Sequence, residues 1–100
     1  MVLATSILVR IRSHQHAKLM TRLEEMRREK QHLFPGTIAR YMIEKQRQPG
    51  HIEILLIWRN TAMPDEATYN HWLGEFKQAL SDVLEWETAQ YDTGSVIMHT

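Results

Sequence analysis

Residues 37–59, TIARYMIEKQRQPGHIEILLIWR, decide how the rest of the chain folds. Thr37 to Glu44 is a strand-length run in which Ile38, Met42 and Ile43 are apolar and Tyr41 is aromatic. His51 to Arg59 is a second such run and the most apolar stretch of the chain. Between them Lys45 to Gly50 is polar and closes on Pro49-Gly50. Pro presets φ for a turn and Gly accepts a positive φ without steric penalty, so this pair marks a reversal. Two β-rich runs joined by a short turn predict an antiparallel hairpin.

Upstream of the hairpin, Leu3, Thr5, Ile7, Val9 and Ile11 alternate with Ala4, Ser6, Leu8, Arg10 and Arg12. A period of two reads as a strand. From about His14 to Leu33 the period becomes helical. Leu19, Met20, Leu23 and Met26 form one stripe, bordered by Ala17, Lys30 and Phe34, with Arg22, Glu25, Arg28, Glu29 and His32 on the solvated back. Ser13 is the expected cap and Pro35-Gly36 the stop. Downstream, Asn60 to Met63 is a linker. Pro64 suits a first helical position, and Asp65 and Glu66 suit a first turn. Tyr69, Trp72, Leu73, Phe76, Leu80, Val83 and Leu84 then recur at helical spacing to about Leu84. Trp86 to Tyr91 reads as a fourth strand, Asp92-Thr93-Gly94 as a turn and Ser95 to His99 as a short fifth strand. The order predicts a single α+β domain over residues 1–100. It is of ferredoxin-like β-α-β-β-α-β type, an antiparallel sheet with two helices on one face.

Composition narrows the class of function. Twelve Lys and Arg balance twelve Asp and Glu. Such a chain has no long-range attraction for nucleic acid or an anionic membrane. The longest uninterrupted apolar stretch, Ile54 to Trp58, is far short of the ~20 residues of a membrane helix. Arg10 and Arg12 break the apolar N-terminal run, which reads as a strand rather than a signal peptide. The chain has no cysteine, which excludes disulfide and thiolate chemistry and suits the cytoplasm.

Both faces of the predicted sheet are apolar. Strand three offers Ile52, Ile54, Leu56 and Trp58 on one side, and Leu55 and Ile57 on the other. Strand two adds Tyr41 and Ile43, and strand one adds Leu8, to that second side. A sheet covered by helices on one side should be apolar on that side only. The second face therefore predicts a homodimer packed sheet to sheet, the alternative being a cover formed by the segment after Gly94.

Four features together resemble the antibiotic biosynthesis monooxygenase-like group of dimeric α+β barrels, over nearly the whole chain. They are the strand-helix opening, the Phe34-Pro35-Gly36 break, the strand ending Ile57-Trp58-Arg59, and the acidic helix start followed by His71 in residues 65–76, DEATYNHWLGEF. The resemblance implies a cofactor-independent monooxygenase acting on a small aromatic or quinol-type molecule in an apolar pocket. Alternatives within it are a haem-binding or haem-degrading protein and a non-enzymatic small-molecule-binding dimer. The haem degraders use an asparagine on strand one, a tryptophan ending strand three and an iron-ligating histidine on helix two. Trp58 and His71 match the last two, whereas Ser6 to Leu8 holds no asparagine and the linker Asn60 to Pro64 is longer than usual.

The resemblance gives Trp58, His71 and Arg10 as candidate catalytic residues and Trp58, Tyr41 and Trp72 as candidate substrate-binding walls. Each has a plainer reading. Trp58 is a large core residue by composition alone. His71 lies about 140° from Phe76 at ~100° per residue, which predicts a solvated face. Arg10, Arg12 and Arg40 on strands either steady a developing anion or pair with Glu44 and Glu53. His16 borders the stripe of helix one as a partly buried histidine. His14 with His16, and His71 with Glu75, complete no familiar ligand set, so no metal site is expected. No phosphate loop, nucleophile elbow or paired-carboxylate motif is present.

Overall fold

The computed structural model describes residues 2–29 and 33–98. Strand β1 (Val2–Ile11) leads to helix α1 (His16–Arg28), the hairpin β2 (Thr37–Glu44) and β3 (His51–Arg59), helix α2 (Glu66–Ala79) and strand β4 (Leu84–Ser95). The sheet order is β2-β3-β1-β4 with every pair antiparallel. Each helix thus carries the chain across one intervening strand, which is the ferredoxin-like layout. No helix among the described residues is long and apolar enough to cross a membrane.

Pairing fixes the faces. In β1–β3, Ile7 stands opposite Ile54 and Val9 opposite Ile52, and all four are buried. Leu19 of α1 and Phe76 of α2 join them, with Trp58, Leu80, Val83 and Leu84 closing one continuous core. The other face carries Ser6, Leu8, Glu53, Leu55 and Ile57, all half-buried. Ser6 Oγ donates to Glu53 Oε2 at 2.7 Å there, and Tyr41 and Ile43 are exposed. Both faces are apolar, as the sequence predicts.

Several boundaries differ from the sequence reading. Ser13 does not cap α1; Gln15 holds that position without a side-chain hydrogen bond, because a turn with His14 at φ 63° intervenes. Helix α1 ends at Arg28, and residues 30–32, which the reading includes, lie outside the described residues. Pro64 precedes α2, and Asp65 is its cap, accepting from the Thr68 N–H at 2.7 Å. That helix stops at Ala79 rather than near Leu84. Leu80, Val83 and Leu84 stay buried through a turn in which Leu84 N–H donates to the Leu80 carbonyl at 3.0 Å. Asp92-Thr93-Gly94 is strand, not turn, pairing with Ser6, Thr5 and Ala4, since the ten-residue β1 offers partners that far along. A register shift opposite Leu8 to Arg10 takes up the extra length of β4. No fifth strand forms among the described residues, and His99 lies outside them. The Pro49-Gly50 turn forms as expected, with Gly50 at φ 80°.

Candidate functional site

Helix α1 does not lie flat on the sheet along its whole length. Near the end of α2 it is held by charge: Lys18 Nζ and Arg22 Nη2 each sit 2.8 Å from Asp82 Oδ2, and Arg22 also donates to the Ala79 carbonyl at 3.0 Å. At its far end it stands off edge strand β2 and leaves a cavity of about 440 Å³. Met20, Leu23 and Met26 form one wall, Met42 the other, and Ile54 and Leu56 of β3 belong to its floor. Methionines are unbranched and polarizable, so such a lining adapts to ligand shape. The volume lies in the range of small-molecule sites.

Polar groups gather at the rim. Arg27 and Glu24 pair through two hydrogen bonds of 3.1 and 2.6 Å. The Arg27 hydrogen bonds hold the Glu24 carboxyl below its usual range. Arg40 of β2 lines the cavity and donates to the Leu33 carbonyl, with no carboxylate partner among the described residues. A guanidinium has five N–H donors, so most of Arg40 stays available to an anion.

Phe34 closes the inner end. It is buried and lines the cavity, and its backbone is left-handed at φ 56°. That conformation costs an L-residue with a Cβ about 1–2 kcal/mol, so packing must hold it. Its ring meets Phe76 at 5.5 Å, Tyr69 at 5.9 Å and Trp58 edge-on at 6.4 Å. Two residues on, Gly36 at φ 92° passes so close to Ala62 that a Cβ would sit 3.1 Å from its carbonyl oxygen. Only glycine fits the loop there. Tyr69 and Trp58 touch Phe34 but do not line the cavity. Trp58 Nε1 and Tyr69 Oη are buried without a hydrogen-bond partner among the described residues, as are Thr5 Oγ1 and Trp86 Nε1. Burial, and secondarily Tyr91, pushes the Tyr69 phenol up, so it stays a protonated donor at neutral pH.

The structure separates the residues that the sequence singles out. Trp58 is fully buried in the aromatic cluster behind Phe34. Tyr41 lines the cavity from the edge strand, although its pairing with Leu55 turns it from the helix side. Trp72 is half-buried and packs on the core away from the cavity. Arg10 is exposed and paired with Glu85. His71 points to solvent from α2, with Nε2 3.0 Å from Glu75 Oε1. His16 is exposed rather than partly buried, because its Nε2 reaches out to Glu44 Oε1 at 2.7 Å. No cluster of His, Asp or Glu suited to a metal exists among the described residues. The residues at the cavity do not fit haem on the expected pattern, since His71, its expected ligand, lies on another surface. The sequence reading weighs Arg40 as a strand arginine able to steady an anion, and the structure brings it to the cavity, whereas Phe34 enters that reading only at the helix-ending break. Arg40 follows the bulge where β2 shifts register, and the one sequence signal for Phe34 is its place before Pro35-Gly36.

Neither a protein-family model nor a curated protein matches the chain at the level of sequence. Solved structures do match in three dimensions. A Bordetella bronchiseptica protein provisionally described as an antibiotic biosynthesis monooxygenase is similar with a TM-score of 0.71 at 8% identity, covering 97% of this chain and 98% of that one. A protein of the same description from Bacteroides thetaiotaomicron gives 0.65 at 19% identity, covering 97% and 90%. A variant of SnoaB, a cofactor-independent oxygenase from Streptomyces nogalater, gives 0.61 at 9% identity, covering 98% and 95%. At these identities the likeness is one of fold, and the fold is the one these oxygenase-type structures share.

Proposed function

We propose that the chain binds a small aromatic or quinol-type molecule between α1 and β2 and oxygenates it without a cofactor. The observation that carries this reading is the methionine-lined cavity with Arg40 at its rim. A phenolic substrate supplies the electrons. It loses its proton, and the ring carbon opposite the phenolic oxygen gains one atom of dioxygen. The product is a quinone, and the second oxygen atom leaves with two hydrogens as water. Arg40 donates hydrogen bonds to the phenolate, and the apolar walls keep water from competing for it. Glu24, ionised beside Arg27, is a carboxylate on the cavity wall that takes the proton. Trp58 braces the wall from behind, and Tyr41 supports its outer edge. The fold shared with SnoaB, a cofactor-independent oxygenase, supports this reading.

Oxygen uptake on a panel of phenols and quinols tests it. Turnover that falls about 10²-fold in Arg40→Ala, the scale of losing an anion-stabilising donor, is the expected result. Uptake at baseline across the panel, with binding retained, would instead favour a non-enzymatic binder. One observation already leans that way: no histidine lines the cavity among the described residues. The working unit in this proposal is a homodimer, with Leu8, Leu55, Ile57 and Ile43 against their counterparts in a second copy. Ile97 and Met98 are exposed rather than laid on that face in one copy.

A further inference from the structure

The cavity and the unpartnered donors of the core are separated by one side chain. Phe34 lines the cavity, while Trp58 and Tyr69 touch Phe34 and do not line it. Buried indole and phenol donors ordinarily have partners, yet Trp58 Nε1 and Tyr69 Oη have none among the described residues. The side chain between them and the cavity also lies in the left-handed region, at φ 56°. Strain of this kind persists only where the surroundings enforce it. Here the enforcing contacts are three aromatic rings, which a planar guest can replace. We propose that Phe34 is a displaceable partition. A planar ligand bearing a carbonyl or phenolate oxygen pushes its ring aside, extends the cavity to Trp58 and Tyr69, and accepts hydrogen bonds from both. Phe34 then sets ligand choice, admitting any small apolar guest to the outer cavity but only an acceptor-bearing planar one to the inner end. This rests on the cavity being the ligand site.

Two-dimensional NMR with 1,4-naphthoquinone and with naphthalene, which has the rings but no acceptor, tests the idea on the intact protein. The methionine methyls of Met20, Met26 and Met42 report entry to the cavity. The Trp58 indole N–H, assigned with Trp58→Phe, reports the inner end. Both compounds should move the methyls, and only naphthoquinone should move the Trp58 resonance. Phe34→Ala should bind naphthoquinone about tenfold more tightly and keep its effect on Trp58, and Tyr69→Phe should weaken it several-fold. Phe34→Leu, which keeps an apolar filler, guards against a misfolded alanine variant and should fall between. Moving methyls with a stationary Trp58 resonance, in wild type and the Phe34 variants alike, would overturn the partition and leave the cavity reading intact. No methyl response to either compound in any of these proteins would overturn both.

Discussion

The two halves of the layer between helices and sheet are built differently. Beneath α2, aromatic rings lock edge to face: Phe34 on Phe76 and Trp58, and Phe76 on Trp86 at 5.8 Å. Beneath the far end of α1, flexible methionines and leucines leave a cavity. The same apolar composition therefore produces a filled half and an open half. The difference is one of shape. Rigid rings interlock at interior density, whereas a helix tied down near Lys18 and Arg22 and free near Met26 diverges from an edge strand that has no neighbour to pull it in. The filled half supplies stability and the open half is available for a ligand.

The sharpest way to break this contrast is to truncate one residue in each half. Trp58→Ala removes a fully buried ring from the filled half and should destabilise the fold by about 3–5 kcal/mol. Met42→Ala removes a half-exposed side chain from the cavity wall and should cost no more than about 0.5 kcal/mol, while weakening ligand binding. Urea unfolding of the two variants measures both. Comparable losses would show that the α1 side is packed as a core and that the cavity is closed in solution.

This contrast marks the limit of what was legible in the sequence. Period-two alternation in β1 and β3 reports the buried face of the sheet, and the helical stripes report the sides of α1 and α2 turned to it, with Leu19, Leu73 and Phe76 buried there. The hairpin was readable because Pro49-Gly50 carries its own turn chemistry. The 140° offset of His71 from Phe76 likewise foretold its solvated position. Periodicity does not report how far a helix stands from a sheet, so Met20, Leu23 and Met26 read as core when they wall a cavity. Nor does it report the pairing of β4: Asp92-Thr93-Gly94 has turn composition, and only the length of β1 opposite it makes it strand. Phe34 read as the end of a helix because its left-handed backbone is enforced by Trp58 and Tyr69, which lie far along the chain.

A second contrast lies between the two faces of the sheet. The helix side is closed by the chain itself; the other side leaves Leu8, Leu55 and Ile57 half-buried and Ile43 and Tyr41 exposed. If a second copy closes it, Leu55→Lys places a charge in that interface and should convert a dimer to a monomer in sedimentation velocity. The melting temperature of the wild type should rise with protein concentration, and that of the variant should not, because only an associating protein gains stability by mass action. A wild type that sediments as a monomer at every concentration would refute the packing.

The smallest expected effect probes the tethered end of α1. Lys18 first, and Arg22 with it, hold the Asp82 carboxyl below the usual aspartate range. A carboxyl whose value is lower in the folded than in the unfolded chain contributes stability above the unfolded value and loses it as pH falls through the folded one. Asp82→Asn should therefore melt slightly below wild type from neutral pH down to the ordinary carboxylate range. The two curves should converge in more acidic solution, where wild-type Asp82 is itself protonated. Added salt should narrow the gap at neutral pH, since exposed charges are screened. Because the tether fixes one end of α1 while the cavity occupies the other, ligand affinity should change little. A gap in melting temperature that persists unchanged through the acid range would mean that Asp82 acts through the shape of its turn rather than its charge. A large loss of binding would mean that the tethered end of α1 also sets the opening at its free end.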